Sequence, residues 1–391
     1  MDKVVLKGIA WDHTRGIVPL QAAGQRYSER HPGVEIRWDK RSLQAFADYS
    51  IESLSKEYDL LIIDHPWVGS AAVTGCVVAL DDYIPKDALA VLEANSAGVS
   101  HSSYHYDGRQ WALAIDAATP VASMRTDLLA ANDLAAPETW EQVIALAKKG
   151  KVAAPAIPID LLMNFYTFCI AEGEEPFDGD VVVSEATGTR ALDTMKELYT
   201  ALAPGFFNMN PILVAEVMSN TDDYYYCPFA YGYSNYSRKQ YSKNILTYAD
   251  VVTFGNKPLR TTLGGTGIAV AAESLHKSIA AAFAQFVCSP GWQASEYILS
   301  GGQPGYAFGY QDPLNNQVCN RFFTNTKATL DNAYLRPRYH GYLQFQEEGG
   351  FYIQEFLKGR IQSASLVLNK LNLLYTESLQ KSDKNLCNNS R

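Results

Sequence analysis

The most constraining feature of this chain is a short apolar run, Leu60–Ile63, that stops abruptly at Asp64, His65 and Pro66. A run without polar alternation suits a strand buried on both faces, as in a parallel α/β sheet. Proline cannot continue a central strand, so this strand delivers a carboxylate, an imidazole and then Trp67 to one point. Residues 4–10 end in the same way: they are apolar except for Lys7 and lead into Trp11, Asp12 and His13. Between the two, Ile17, Leu20, Ala23 or Gly24, and Tyr27 recur at helical spacing, closed by His31, Pro32 and Gly33. Val34, Ile36 and Trp38 alternate with charged residues as a second strand, which runs into Lys40 and Arg41. A helix over about 44–57 completes a βαβαβ unit with right-handed crossovers. Ligands of open α/β sheets bind outside the carboxyl ends of the strands. Asp12 and Asp64 also suit helix caps, but an aromatic residue, an Asp and a His at two neighbouring strand ends favours a ligand site.

The 391 residues exceed one ordinary core, so two domains are expected. Hydrophobic residues make up 47% and charged residues 19%, a globular balance rather than a disordered one. The formal net charge of −9 argues against tracking nucleic acid. No apolar run is long enough for a membrane-spanning helix. The six cysteines form no CxxC pair and no zinc spacing, so neither a metal nor a cofactor is expected. The N-terminus enters the first strand without a signal-peptide pattern. Residence is then cytoplasmic, or periplasmic or extracellular after removal of a leader.

Further on, residues 111–115 read as a buried strand ending at Asp116, and Thr139 or the preceding turn caps a helix that closes near Lys149. Helices are expected over about 159–172, 185–202 and 274–288. An aromatic strand over 224–229 precedes a loop carrying Tyr231 and Tyr233, and the glycine-rich run 264–267 opens another strand. The polar tail 381–391 is expected to be disordered.

Several of these stretches, in this order, resemble one family. Pro137, Glu138, Thr139 and Trp140 before an amphipathic helix ending in Lys148, Lys149 and Gly150 are similar to a helix start of the extracellular solute-binding proteins, family 1. These are the maltose-binding-like proteins of ABC importers. Gly265, Thr266, Gly267, Ile268, Ala269 and Val270, then a helix rich in Ala and Phe, then Ser289, Pro290, Gly291, Trp292 and Gln293, resemble a second hallmark. The stretch from Gln110 to Asp116, followed by 119–129, resembles the strand that crosses between lobes. The resemblance implies a two-lobed, type II periplasmic-binding-protein-like α/β fold, each lobe a mostly parallel sheet flanked by helices, with the ligand in the cleft. Lobe one would comprise 1–114 and 263–308, and lobe two 118–258 and 312–380, with crossings near Asp116, 258–262 and Gly309. It further implies hinge closure on a small polar solute, permease subunits of an ABC transporter as partners, and a monomer without nucleic-acid partners.

The chemistry available suits such a ligand. Asp12, Asp64 and Asp116 can accept paired hydroxyls, Trp11, Trp67, Tyr231 and Tyr233 can stack on a sugar face, and Gly265 and Thr266 belong to a run offering backbone N–H groups. His13 and His65 lie beside the carboxylates. Each aromatic or histidine also suits a core position. Arg15 and Arg41 follow the first two strands, and a guanidinium fork fits a carboxylate or phosphate. If they turn inward, nearby aspartates can neutralise them and leave a neutral hydroxylated ligand, or an organic anion can. No nucleophile motif is present. The alternatives are an enzyme using Asp64 and His65 as an acid–base pair, and a cytoplasmic sensor of an organic anion.

Overall fold

The computed structural model describes residues 3–42 and 50–389, the last nine as backbone alone. In chain order the main elements are β1 (Val4–Trp11), α1 (Thr14–Arg30), β2 (Val34–Arg41), β3 (Leu60–Ile63), β4 (Leu113–Ala118), β5 (Pro120–Met124), α2 (Trp140–Ala147), α3 (Pro158–Ala171), α4 (Glu185–Ala201), β6 (Tyr226–Tyr231), β7 (Thr247–Ala249), β8 (Gly264–Val270), α5 (Lys277–Val287), α6 (Tyr342–Leu357) and α7 (Ala364–Asn389). Of the helix expected over 44–57, residues 44–49 lie outside the described residues, and Ile51–Leu54 is helical. The helix α7 includes residues 381–389, where a disordered tail was expected.

The chain divides into two compact units. The first comprises residues 1–118, 264–324 and 338–340; the second comprises 119–263, 325–337 and 341–391. The chain passes from one to the other after Ala118, Leu263 and Thr324, and twice more, before Arg338 and after His340. Residues 312–324, expected in the second lobe, cluster with the first unit. There Asn315 donates to the carbonyls of Ala294 and Gly309, and Asn316 to that of Tyr310.

The first unit is built on a five-stranded sheet in the order β2-β1-β3-β8-β4. β1 runs parallel to β2, from Val4 opposite Val34 to Trp11 opposite Arg41, and parallel to β3. β8 is antiparallel to both neighbours, because it enters directly from the second unit rather than through a helical crossover. Leu60–Ile63 is wholly buried, as its unbroken apolar character requires. α1 and α5 cover this sheet through rings such as Tyr27 against Phe283, 5.3 Å apart and edge-on. Gly8 is a packing necessity, since a Cβ there would lie 2.4 Å from the Trp38 ring.

The second unit holds a three-stranded antiparallel sheet, β6-β5-β7, in place of the mostly parallel one expected. Among the described residues its parallel pairings are isolated bridges, Val152 to Tyr226, Thr139 to Thr253 and Thr262 to Tyr334. α2 begins with a reciprocal cap: Thr139 accepts from the Gln142 N–H, and the Gln142 side chain accepts from the Thr139 N–H. Most of α3 is buried, which matches an apolar sequence with little amphipathic asymmetry. Phe177, at φ +67°, sits among the rings of Tyr166, Tyr342, Phe345 and Tyr375.

Candidate functional site

The carboxyl ends of β1 and β3 carry most of the residues singled out from the sequence. His13 caps α1: its Nδ1 accepts from the Arg15 N–H at 3.0 Å. Burial first, and then the neighbouring Arg15 charge, lowers the imidazole pKa to about 4. The ring is therefore neutral at pH 7, and because Nδ1 is an acceptor the proton resides on Nε2.

Arg15 turns into the first unit and meets Asp116 on β4. Its Nε donates to Oδ2 at 2.8 Å and its Nη2 donates to Oδ1, a two-point fork between side chains that are almost wholly buried. Burial pushes the Asp116 carboxyl up, and the Arg15 guanidinium works against that. Asp116 is not at a strand end as expected; it lies within β4, opposite Thr266 of β8. The strand extends to Ala118 because small apolar residues continue past the aspartate. The electrostatics of the buried Tyr297 hydroxyl couple to both Asp116 and Arg15, and Gln293 donates to the Ile115 carbonyl at 3.3 Å.

The glycine-rich run opens β8, as expected. Gly264, Gly265 and Thr266 pair in register with Ala118, Ala117 and Asp116, so their backbone belongs to the sheet. Gly265 adopts φ +106°, and a Cβ there would meet the Asp116 carbonyl oxygen at 2.3 Å. The Thr266 hydroxyl oxygen is buried without a hydrogen-bond partner among the described residues, which makes it an outstanding polar group beside Asp116.

Other candidates have local roles. Trp11 is 3% exposed and packs over Gly16, so it serves as core and not as a stacking platform. Asp12 is exposed and accepts from Lys40 Nζ at 2.9 Å. Arg41 is half-buried, with its pKa held down by burial, and its carbonyl accepts from the Asp12 N–H. Asp64 caps the short 3₁₀ turn His65–Trp67 through the His65 N–H at 2.8 Å. His65 is completely buried, 3.2 Å from the Asp64 carboxylate and edge-on to Tyr104. Trp67 is half-buried against the core.

Tyr231 and Tyr233 belong to the second unit. The Tyr231 hydroxyl shares a hydrogen bond with Thr262 at 2.8 Å, and Tyr233 is buried. Thr119 and Thr261 extend this network: their hydroxyls lie 2.7 Å apart, and Thr261 donates to the Pro120 carbonyl. Sequence reading missed this threonine cluster. The signal was the paired Thr261 and Thr262 just before the glycine run, on the segment expected to be a crossing.

A model of the bacterial extracellular solute-binding protein family matches residues 10–294, nearly three quarters of the sequence. The chain belongs to that family. Its fold is the α/β, type II periplasmic-binding-protein-like fold. A maltose-bound MalE3 of T. maritima superposes with a TM-score of 0.82 at 18% identity, covering 95% of this chain and 99% of that one. An ABC transporter solute-binding protein of Agrobacterium radiobacter K84, in complex with ribitol, gives 0.80 at 20% identity, covering 95% and 98%. The GacH receptor of Streptomyces glaucescens, solved unliganded and with acarbose, gives 0.80 at 15% identity, covering 97% and 99%. The family and these neighbours are binding proteins rather than enzymes.

Proposed function

We propose that this protein captures a small, neutral, hydroxyl-rich solute, of the sugar or polyol kind, by closing its lobes over the carboxyl ends of β1 and β3. The observation that carries the reading is the Arg15–Asp116 pair. The guanidinium that would otherwise select an anion is already held at two points by a buried carboxylate. The charge is neutralised internally, so the site asks its ligand for hydroxyls rather than for a counter-charge. The maltose, ribitol and acarbose complexes of the structural neighbours support the same ligand class. The protein then acts as a monomer outside the cytoplasm and hands its solute to the permease subunits of an ABC importer.

Calorimetric titration against a panel of neutral sugars, polyols and organic acids tests the reading. Binding is expected among the neutral compounds, with compaction in small-angle scattering on saturation. Binding confined to organic acids would overturn it. The acid–base alternative is disfavoured by the complete burial of His65 and the capping role of Asp64. Recovery of the bound solute unchanged and in stoichiometric yield separates binder from enzyme.

A further inference from the structure

The first unit buries three polar atoms that no described residue meets with a hydrogen bond. They are Thr266 Oγ1 on β8, Gln293 Oε1 on the short helix Pro290–Ala294 and Tyr297 Oη on the short helix Glu296–Leu299. The three residues are 6%, 0% and 0% exposed. A buried polar group left in that condition forfeits the hydration it had in the unfolded chain.

All three are tied to the same stretch of β4. Thr266 lies directly opposite Asp116 across the antiparallel pair, which puts the two side chains on one face of the sheet with Cβ atoms about 5 Å apart. Gln293 is fixed one residue away: its Nε2 donates to the Ile115 carbonyl at 3.3 Å and to the Val287 carbonyl at 3.0 Å. Both amide hydrogens are thereby used, and Oε1 is left as a pure acceptor. The Tyr297 ring packs against Gly302, where a Cβ would lie 2.4 Å from it. Burial pushes the Tyr297 hydroxyl pKa up, and the charges of Asp116, Cys288 and Arg15 act on it as well.

The chemistry of this cluster is complementary but not directly joined. The hydroxyls of Thr266 and Tyr297 can donate. Gln293 Oε1 accepts, and the Asp116 carboxylate, which already receives Nε and Nη2 of Arg15, has room for about two more donors. Neither hydroxyl reaches an acceptor by itself. A molecule that both accepts and donates resolves the mismatch, and water is the smallest that does.

We propose that Thr266, Gln293 and Tyr297 form a built site for ordered water beside Asp116, in which water accepts from the two hydroxyls and donates to Gln293 Oε1 and the carboxylate. A few held waters complete the hydrogen bonds of Asp116 without giving it bulk solvent. They favour the ionised carboxylate against the burial that opposes it, and so keep Arg15 matched. The site lies within the first unit, goes beyond solute capture and does not depend on which solute binds.

The test uses the full chain without ligand, carrying Tyr297→Phe, Thr266→Val or both. Hydrogen exchange of the β4 and β8 amides reads the stability of this sheet. A hydroxyl held by water loses a partnership when deleted, so each single variant should lower the folding equilibrium constant by about three- to tenfold. The double variant should lose less than the product of the two, because the shared water is released once. Deleting a hydroxyl that truly has no partner is instead neutral or stabilising. A folding constant unchanged or raised in either single variant, or strictly multiplicative losses in the double, overturns the proposal. A high-resolution crystal structure of the wild type should show ordered water within hydrogen-bond distance of two or more of these three atoms, and water on fewer overturns it equally.

Discussion

At the scale of single residues, the sharpest consequence concerns Arg15 and Asp116. Removing one partner of a buried ion pair strands the other charge, whereas removing both leaves an apolar gap that packing can fill. Arg15→Ala should therefore cost roughly 3–5 kcal/mol, while Arg15→Met with Asp116→Leu should be neutral or stabilising by about 1–4 kcal/mol. Denaturant unfolding of the two variants checks this. A single variant as mild as the double would mean that the pair is far better solvated than its burial implies. A second residue sets a pH dependence. Asp160, in the first turn of α3, is buried, and burial alone raises its pKa to about 8. Its folded-state pKa lies above the unfolded value of about 3.9, so its stabilising contribution is intact at low pH and declines as pH rises from about 4 to 8. Across that window the loss amounts to roughly 5 kcal/mol. Asp160→Asn should match wild type near pH 4 and gain on it steadily up to pH 8. Parallel stability–pH curves would show that the carboxyl is ionised in the fold.

At the scale of elements, what was legible in the sequence was local, and what was missed was long-range. Leu60–Ile63 announces a buried strand because all four side chains need cover. Thr139 announces a helix start because its oxygen needs a donor three residues on. Asp116 gave no comparable sign. Its partner Arg15 lies 101 residues earlier, and nothing within a few residues of either encodes the meeting. The glycine run announced the start of a strand, as found, but not that its backbone would pair with β4 rather than offer N–H groups to a ligand: Gly265 lets β8 approach the Asp116 carbonyl. Gly265→Ala should thus destabilise by at least roughly 1–3 kcal/mol from backbone strain, with the steric clash adding to it. A thermal melt within a degree of wild type would mean that β8 can shift to make room. The antiparallel character of β8 was equally invisible, because alternation and apolar runs carry no strand direction.

At the scale of the molecule, the resemblance to solute-binding proteins supplied the discontinuous lobes that periodicity did not. It placed a crossing near Gly309, whereas the first unit continues to Thr324. The register of the first sheet leads to an experiment at this scale. Ala118 and Gly264 face each other across an antiparallel pair, so a two-residue turn can join them. Residues 1–118 alone should remain largely unfolded by circular dichroism, because β8 belongs between β3 and β4. A chain joining 1–118 through Asn-Gly to 264–324 should gain cooperative structure. A folded 1–118 fragment would show that the sheet does not need β8.

The same placement of β8 bears on how the protein comes into being. A ribosome that has finished β4 must add the 145 residues from 119 to 263 before the strand that completes the first sheet emerges. At about 5–20 residues per second, that interval is roughly 7–30 s. Throughout it, the facing edges of β3 and β4 lack the partner they require, and open strand edges invite pairing with other chains. Those two edges are where unwanted pairing between nascent chains starts, and the interval closes only when β8 emerges between them.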